Sequence, residues 1–235
     1  MTDWRLIASE HQRVAEAYAK RNTDDPRYSW LHPGHLFMIQ GRERAMLNLF
    51  RREGIQPAQV DRLLDLGCGQ GYWMREWIKW GLPRERAVGM DLLTNRVREA
   101  RAAGPRASLL LAGSGATLPF AAGAFDVVYQ STVFTSVLDP MIRSEIAHEM
   151  IRVLRPGGHV IWYDYFADNP RNSDVRGVRK KEIHQLFPDC TILLRRVTLA
   201  PPIARAIAPH SWWLATALEA VPLLRTHYLG IITPR

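Results

Sequence analysis

Cysteine is scarce in this chain, with two among 235 residues, Cys68 and Cys190, too few for a disulfide framework. Long apolar runs are missing as well, since none approaches the roughly 18 residues that a membrane-spanning helix requires. The greasiest region, 199–224, is broken by Pro201, Pro202, Pro209 and Pro222 and carries Arg205 and Glu219. No basic-then-apolar leader opens the chain, and the expected location is the cytoplasm, where thiols stay reduced. Internal repeats and low-complexity linkers are also lacking. The length then suits one α/β domain with a sizeable core better than two full ones. Acidic residues are the minority sign, 23 against 31 Lys+Arg, for a net charge of +8. Such a balance invites a nucleic acid, an anionic membrane or an acidic substrate. It is equally what a plain basic surface without a polyanion partner produces.

Against these gaps stands one dense stretch, Leu63-Leu64-Asp65-Leu66-Gly67-Cys68-Gly69-Gln70-Gly71-Tyr72-Trp73. It reads as a short buried strand, then three glycines at alternate positions, then a helix from about Tyr72. Glycine is required where backbone turns sharply or must lie bare against a ligand. A strand feeding such a loop into a helix N-terminus makes a nucleotide crevice at the carboxyl edge of an open α/β sheet. The glycine spacing differs from the dinucleotide fingerprint G-x-G-x-x-G. It resembles the first motif, D-x-G-x-G-x-G, of the class I S-adenosylmethionine (SAM)-dependent methyltransferases, here in the small-molecule, Methyltransferase-11-like branch.

The resemblance covers about residues 60–166 and implies an α/β fold. That fold is a Rossmann-like, doubly wound, mostly parallel seven-stranded sheet with an antiparallel last strand and a helical N-terminal lid. The division expected is a helical extension over 1–58 and a SAM-binding domain over 59–235. Cofactor contacts are expected from Asp65, Gly67, Cys68, Gly69 and Gly71. A second strand, 87–90, ends at Asp91, an acid about 20 residues past the glycines that can accept bonds from both ribose hydroxyls; Leu92 follows it. Thr94 is the expected N-cap of the next helix. After a third strand, 108–111, relatives carry an acid that bonds the adenine amino group. This chain has Ser114 there, a weaker acceptor than a carboxylate, so the backbone of Gly115 and Ala116 is expected to share that task. The fourth strand, 125–130, brings Gln130 and Ser131 beside the methionine part of the cofactor. Asp139-Pro140 caps a helix whose Ile142, Ile146, Met150 and Val153 share a face. Leu154-Arg155-Pro156-Gly157-Gly158 closes it with a turn before a fifth strand over 159–166.

The preface shows Phe37, Met38, Met46, Leu47 and Phe50 at helical spacing ahead of Gly54, a C′ glycine. In the family such an extension folds over cofactor and substrate, which implies that Tyr18, Tyr28, Trp30 or His35 lines the site. The same rings also suit plain packing of the preface onto the sheet. Downstream, Arg171, Arg176, Arg179, Lys180 and Lys181 form a basic loop that is either a clamp for an anionic acceptor or a solvated surface. A helix over 181–186, a sixth strand over 191–199 and a seventh over 227–233 complete the sheet with an edge hairpin. Between those strands, Ile203, Ile207, Trp212, Trp213, Leu214 and Leu218 are expected to cover the sheet, with an apolar pocket or a membrane surface as alternatives.

Transfer to a hydroxyl calls for a general base, and the candidates are Asp164, His184 and His35. No metal-ligand set is expected. The [D/N/S]-P-P-[Y/F/W] string of base-amino methylases is absent, Gln130-Ser131-Thr132-Val133 standing in its place, and so are a Pro-Cys nucleophile and a paired-glutamate loop. What remains is a small-molecule acceptor, a metabolite, sugar or lipid-linked and anionic intermediate, methylated on oxygen ahead of nitrogen, with S-adenosylhomocysteine as the product. Peripheral membrane contact is compatible with this reading, and nucleic acid is not an expected partner. The alternatives are an RNA methyltransferase, a NAD-type oxidoreductase and a non-catalytic SAM-fold binding module. Lack of any Tyr-x-x-x-Lys string argues against the oxidoreductase.

Overall fold

The structure, a computed structural model, describes residues 4–20, 25–104, 108–170 and 172–235. Two helices come first, α1 (Trp4–Ala19) and α2 (Pro33–Glu53). The second starts where the sequence licenses it: His32 Nδ1 accepts from the Gly34 N–H at 3.1 Å, and Pro33 occupies the first turn. It stops at Gly54, left-handed at φ +69°, where a side chain would be strained.

The alternating part follows as β1 (Leu63–Leu66), α3 (Tyr72–Lys79), β2 (Ala87–Asp91), α4 (Thr94–Ala103), β3 (Leu109–Ala112) and β4 (Phe125–Ser131). Then come α5 (Val133–Ser136), α6 (Pro140–Arg152), β5 (Leu154–Tyr165), α7 (Lys180–Leu186), β6 (Cys190–Leu199), α8 (Pro201–Ile207), α9 (Trp212–Ala220) and β7 (Arg225–Pro234). Strands β1 and β4 are buried almost end to end, the mark of parallel strands covered on both faces. The seven-stranded sheet runs β3-β2-β1-β4-β5-β7-β6, parallel except for β7, which lies antiparallel to β5 and β6. This is a Rossmann-like, doubly wound sheet. Its strand order reverses between β1 and β4, so the crevice for a ligand opens at their carboxyl ends.

One apolar layer packs Ile142, Ile146 and Met150 of α6 against Trp162 and Phe187, and the other packs Phe50 and Trp77 beneath Leu63 and Ile161. Asp139 caps α6 by accepting from the Met141 and Ile142 N–H groups at 2.8 and 3.0 Å.

Three expectations are corrected. Thr94 lies inside the first turn of α4, and the N-cap is Leu93 with no side-chain cap bond. Leu154 to Gly158 is drawn into β5 as a bulge, because Leu154 pairs with Phe125 while His159 pairs with Val127, and Gly157 absorbs the extra length at φ +78°. The greasy 203–218 region folds as α8 and α9, which lie on α2 and the end of β6 instead of on a sheet face. There Phe37, Leu199, Ala204, Ala208 and Ala215 form a small core of their own. The start of α2 comes so close to α8 that a Cβ on Gly34 would sit 2.6 Å from the Arg205 Cα.

Candidate active site

The loop after β1 holds three left-handed glycines, Gly67, Gly69 and Gly71, at φ +71°, +54° and +74°. Only glycine takes that sequence of dihedrals without strain. The Gly67 and Cys68 N–H groups both donate to the Met90 carbonyl, at 2.7 and 3.1 Å, which ties the loop to β2. Asp91, at the tip of β2, hooks the loop from outside: one carboxylate oxygen accepts from the Gly69 N–H at 2.8 Å and the other from the Leu93 N–H at 2.9 Å.

Around this loop lies a cleft of about 350 Å³. Of the residues expected to touch a cofactor, Asp65, Gly67, Cys68, Gly69, Asp91 and Leu92 line it, as do Ser114, Gly115 and Ser131. Four stand behind or apart from it. Gly71 starts α3 and faces Ala100. Ala116 is buried and donates its N–H to Ser114 Oγ at 3.1 Å. Gln130 is buried, its amide oxygen accepting from the Val133 N–H at 3.3 Å. Tyr28 is 57% exposed in a 3₁₀ turn, under the Arg205 guanidinium.

The floor of the cleft carries an unusual charge arrangement. Asp65 is buried, and its pKa is pushed up to about 7, first by desolvation and further by Asp91, with Arg42 pulling against both. Arg42, from α2, lies between the faces of Trp73 and Tyr163 at 3.6 and 3.5 Å from the ring centroids and donates to the Tyr129 hydroxyl. Asp65 Oδ2 and Arg42 Nε are both buried without a hydrogen-bond partner. Unpartnered buried polar atoms are costly, and these two sit on residues that line the same cavity.

Helix α1 forms the roof. Glu10 reaches across to accept from the Leu138 N–H at 2.6 Å and pairs with Arg13 at 2.8 Å, while Arg13 also donates to the Ser136 carbonyl. Burial opposes the charge on Glu10, but Arg13 and the Leu138 N–H hold its carboxyl below the ordinary range. His11 of the same helix meets Ser114 Oγ at 3.0 Å through Nε2. Tyr18 also lines the cleft.

The three candidate bases scatter. Asp164 is buried outside the cleft lining and accepts from the Thr135 N–H and hydroxyl and from the Tyr165 N–H, so it braces α5. Its pKa is raised to about 6 by burial, against those donors. His184 is exposed on α7, away from the cavity. His35 is half-buried between Tyr28 and Trp30, with centroids at 6.1 and 5.4 Å, and Trp30 in turn rests on Tyr72 of the cleft wall at 5.3 Å. Desolvation, then Arg205 and His32, lower the His35 pKa and keep it neutral. In the basic loop, Arg176 pairs with Glu182 at 2.8 Å and Arg179 with Asp168 at 3.6 Å, while Lys180 and Lys181 are exposed. Arg171 lies outside the described residues.

Sequence reasoning missed Glu10, His11 and Arg42. The first two carry no local motif. Arg42 had a signal: it falls on the same helical face as Met38, Met46 and Leu49, and a cation on an apolar face is normally buried for a reason.

Comparison with known proteins bears on this cleft. The family model described as a methyltransferase domain matches residues 64–162. An uncharacterized methyltransferase of Mycobacterium leprae is 36% identical over 103 residues, 42% of this chain and 35% of that protein. A 24-methylenesterol C-methyltransferase 2 of Oryza sativa subsp. japonica is 30% identical over 138 residues, 54% of this chain and 37% of that protein. The chain thus spans little more than a third of the length of these relatives. A solved S-adenosylmethionine dependent methyltransferase from Mesorhizobium loti superposes with a TM-score of 0.58 at 20% identity, over 83% of this chain and 96% of that one. At that identity the likeness concerns the fold alone.

Proposed function

We propose that the chain, which matches a methyltransferase domain through residues 64–162, is a class I SAM-dependent methyltransferase that transfers the methyl group of SAM to a small-molecule acceptor, oxygen ahead of nitrogen. The observation that carries this reading is the left-handed glycine cradle with Asp91 hooked onto Gly69. Bound SAM supplies an electrophilic methyl group on a cationic sulfur, a leaving group that needs no further activation. The protein is left to orient the partners, keep water out and accept a proton.

The residues present fit that cofactor. Gly67 and Gly69 let backbone lie against its aminoacyl end. Arg42 offers a guanidinium to the carboxylate, and Asp65 offers a carboxylate to the ammonium. A zwitterion in that position would give partners to the two unpartnered atoms of the cleft floor, Asp65 Oδ2 and Arg42 Nε. Asp91 takes the ribose hydroxyls. Helix α1 covers the cleft through Glu10, His11, Val14 and Tyr18.

A roofed cleft suits a small acceptor better than a polymer strand. An apolar or lipid-linked acceptor is supported by the large exposed side chains at the cofactor edge of the sheet, Leu31 at 92%, Trp213 at 79% and Leu223 at 83% exposure. The rice relative, by name a sterol C-methyltransferase, is in keeping with it. None of the three candidate bases lines the cleft; His35 stands behind Trp30, which rests on Tyr72 of the wall, so its support is for positioning that wall.

Calorimetry with SAM, S-adenosylhomocysteine and NADH tests the cofactor, and mass-spectrometric screening with methyl-labelled SAM finds the acceptor. Binding of SAM without NADH is expected; binding of NADH alone overturns the reading.

A further inference from the structure

His11 belongs to no motif, yet it meets Ser114, which stands where the family pattern carries an acid. The sheet order tells what that position faces. The glycine loop follows β1, Asp91 ends β2, and β3 lies one strand further out. A nucleoside whose aminoacyl end rests on the loop and whose sugar meets Asp91 therefore carries its base over the end of β3, where Ser114 stands. A hydroxyl has one hydrogen and two acceptor lone pairs. Ser114 Oγ already spends one lone pair on the Ala116 N–H, at 3.1 Å, and His11 Nε2 lies 3.0 Å from it. Both side chains line the cleft.

We propose that His11 is a specificity-determining residue for the cofactor's base: it takes the Ser114 hydroxyl hydrogen, so that the remaining lone pair of Ser114 accepts from the exocyclic amino group. The pair then does what a lone carboxylate would do, presenting an oxygen that only accepts. Desolvation, against the pull of Glu10, keeps His11 neutral and able to accept that hydrogen. The ring comes from the roof helix, which Glu10 and Arg13 dock on Leu138 and Ser136. The residue that reads the base thus belongs to the helix that covers the cleft.

The inference rests on the SAM-dependent reading, and its test separates the two. Affinities for S-adenosylhomocysteine and S-inosylhomocysteine, in which a carbonyl replaces the amino group, are measured by calorimetry on the full chain. Wild type is expected to prefer the adenosyl compound by about tenfold or more, since a hydrogen-bonded site penalises a ligand that leaves it unpaired. His11→Ala and Ser114→Ala are expected to bring that preference within about threefold. His11→Gln, whose side-chain oxygen can accept the same hydrogen, and the double variant His11→Ala/Ser114→Asp are expected to keep it. An unchanged preference in His11→Ala overturns the proposal, and so does an equal loss for both compounds, which marks a purely structural role. Failure of wild type to bind either compound removes the SAM reading itself, and this inference with it.

Discussion

Asp65 concentrates the conflict between stability and binding at a single side chain. It is buried at the end of β1, one oxygen lacks a partner, and its pKa stands at about 7 in place of the usual carboxylate value. An acid whose folded pKa is raised binds more protons in the native state than in the unfolded one. Stability therefore falls as pH rises from the unfolded pKa through the folded one, and above about 7 the full cost is present. Asp65→Asn is expected to stabilise the ligand-free protein at pH 8 by roughly 2–4 kcal/mol, read as a rise of several degrees in melting temperature. If the cofactor's ammonium is what this carboxylate receives, ligand affinity falls about tenfold per pH unit below about 7, and the variant loses that dependence along with most of its affinity. Calorimetry across pH 6–8 checks both. Arg42 is the counterpart. Its cation is held by ring faces and a hydroxyl, and this arrangement leaves its charge available to a ligand.

Elements of the chain differ in how openly their residues announce them. The strands from β1 to β4 are short apolar runs bounded by Asp and Gly, and local pattern places them within about a residue of where they lie. The helix ends at Gly54 and Asp139 follow from capping chemistry that operates over four residues. The bulge at Leu154–Gly158 was hidden, because whether a glycine turn ends a helix or kinks a strand depends on the neighbouring strand, here Phe125. The approach of α2 to α8 was equally hidden: Gly34 reads as a helix-start residue, while its contact, Arg205, lies far along the chain. Gly34→Ala places a methyl group against α8 backbone, and a cost of about 1–3 kcal/mol is expected from overpacking. Thermal denaturation of the variant checks this, with Gly54→Asn as the contrast, a change at an open position that costs less because Asn tolerates the left-handed region.

At the scale of the whole molecule, the candidate site and several exposed apolar side chains share one edge of the sheet. Strand β6 runs parallel to β5, so α8 and α9 return to β7 along the same carboxyl edge that carries the glycine loop. Trp213, Leu214 and Leu223 are left exposed there, and a contiguous apolar patch would mark a contact surface. Among the described residues no helix is long and apolar enough to cross a membrane. Flotation with liposomes rich in anionic lipid is expected to carry the protein, and Trp213→Asp combined with Leu223→Asp to abolish it. A wild-type protein that stays at the bottom of the gradient removes the lipid-linked acceptor from consideration without touching the methyltransferase reading.

By itself the sequence determined what depends on neighbours along the chain: buried strands, capped helices, a loop only glycine can form, and an acid at the tip of the second strand. These follow from dihedral preference and hydrophobic period, which act over a few residues. Tertiary structure alone decided which side chains meet across long separations. It brought His11 to Ser114 and Arg42 to Tyr129 and Tyr163, it turned Asp164 onto Thr135 and away from the cleft, and it put His184 on the outer surface. The reason is physical: a polar residue on an amphipathic helix carries no local mark of its partner, because that partner is chosen by how the helix packs.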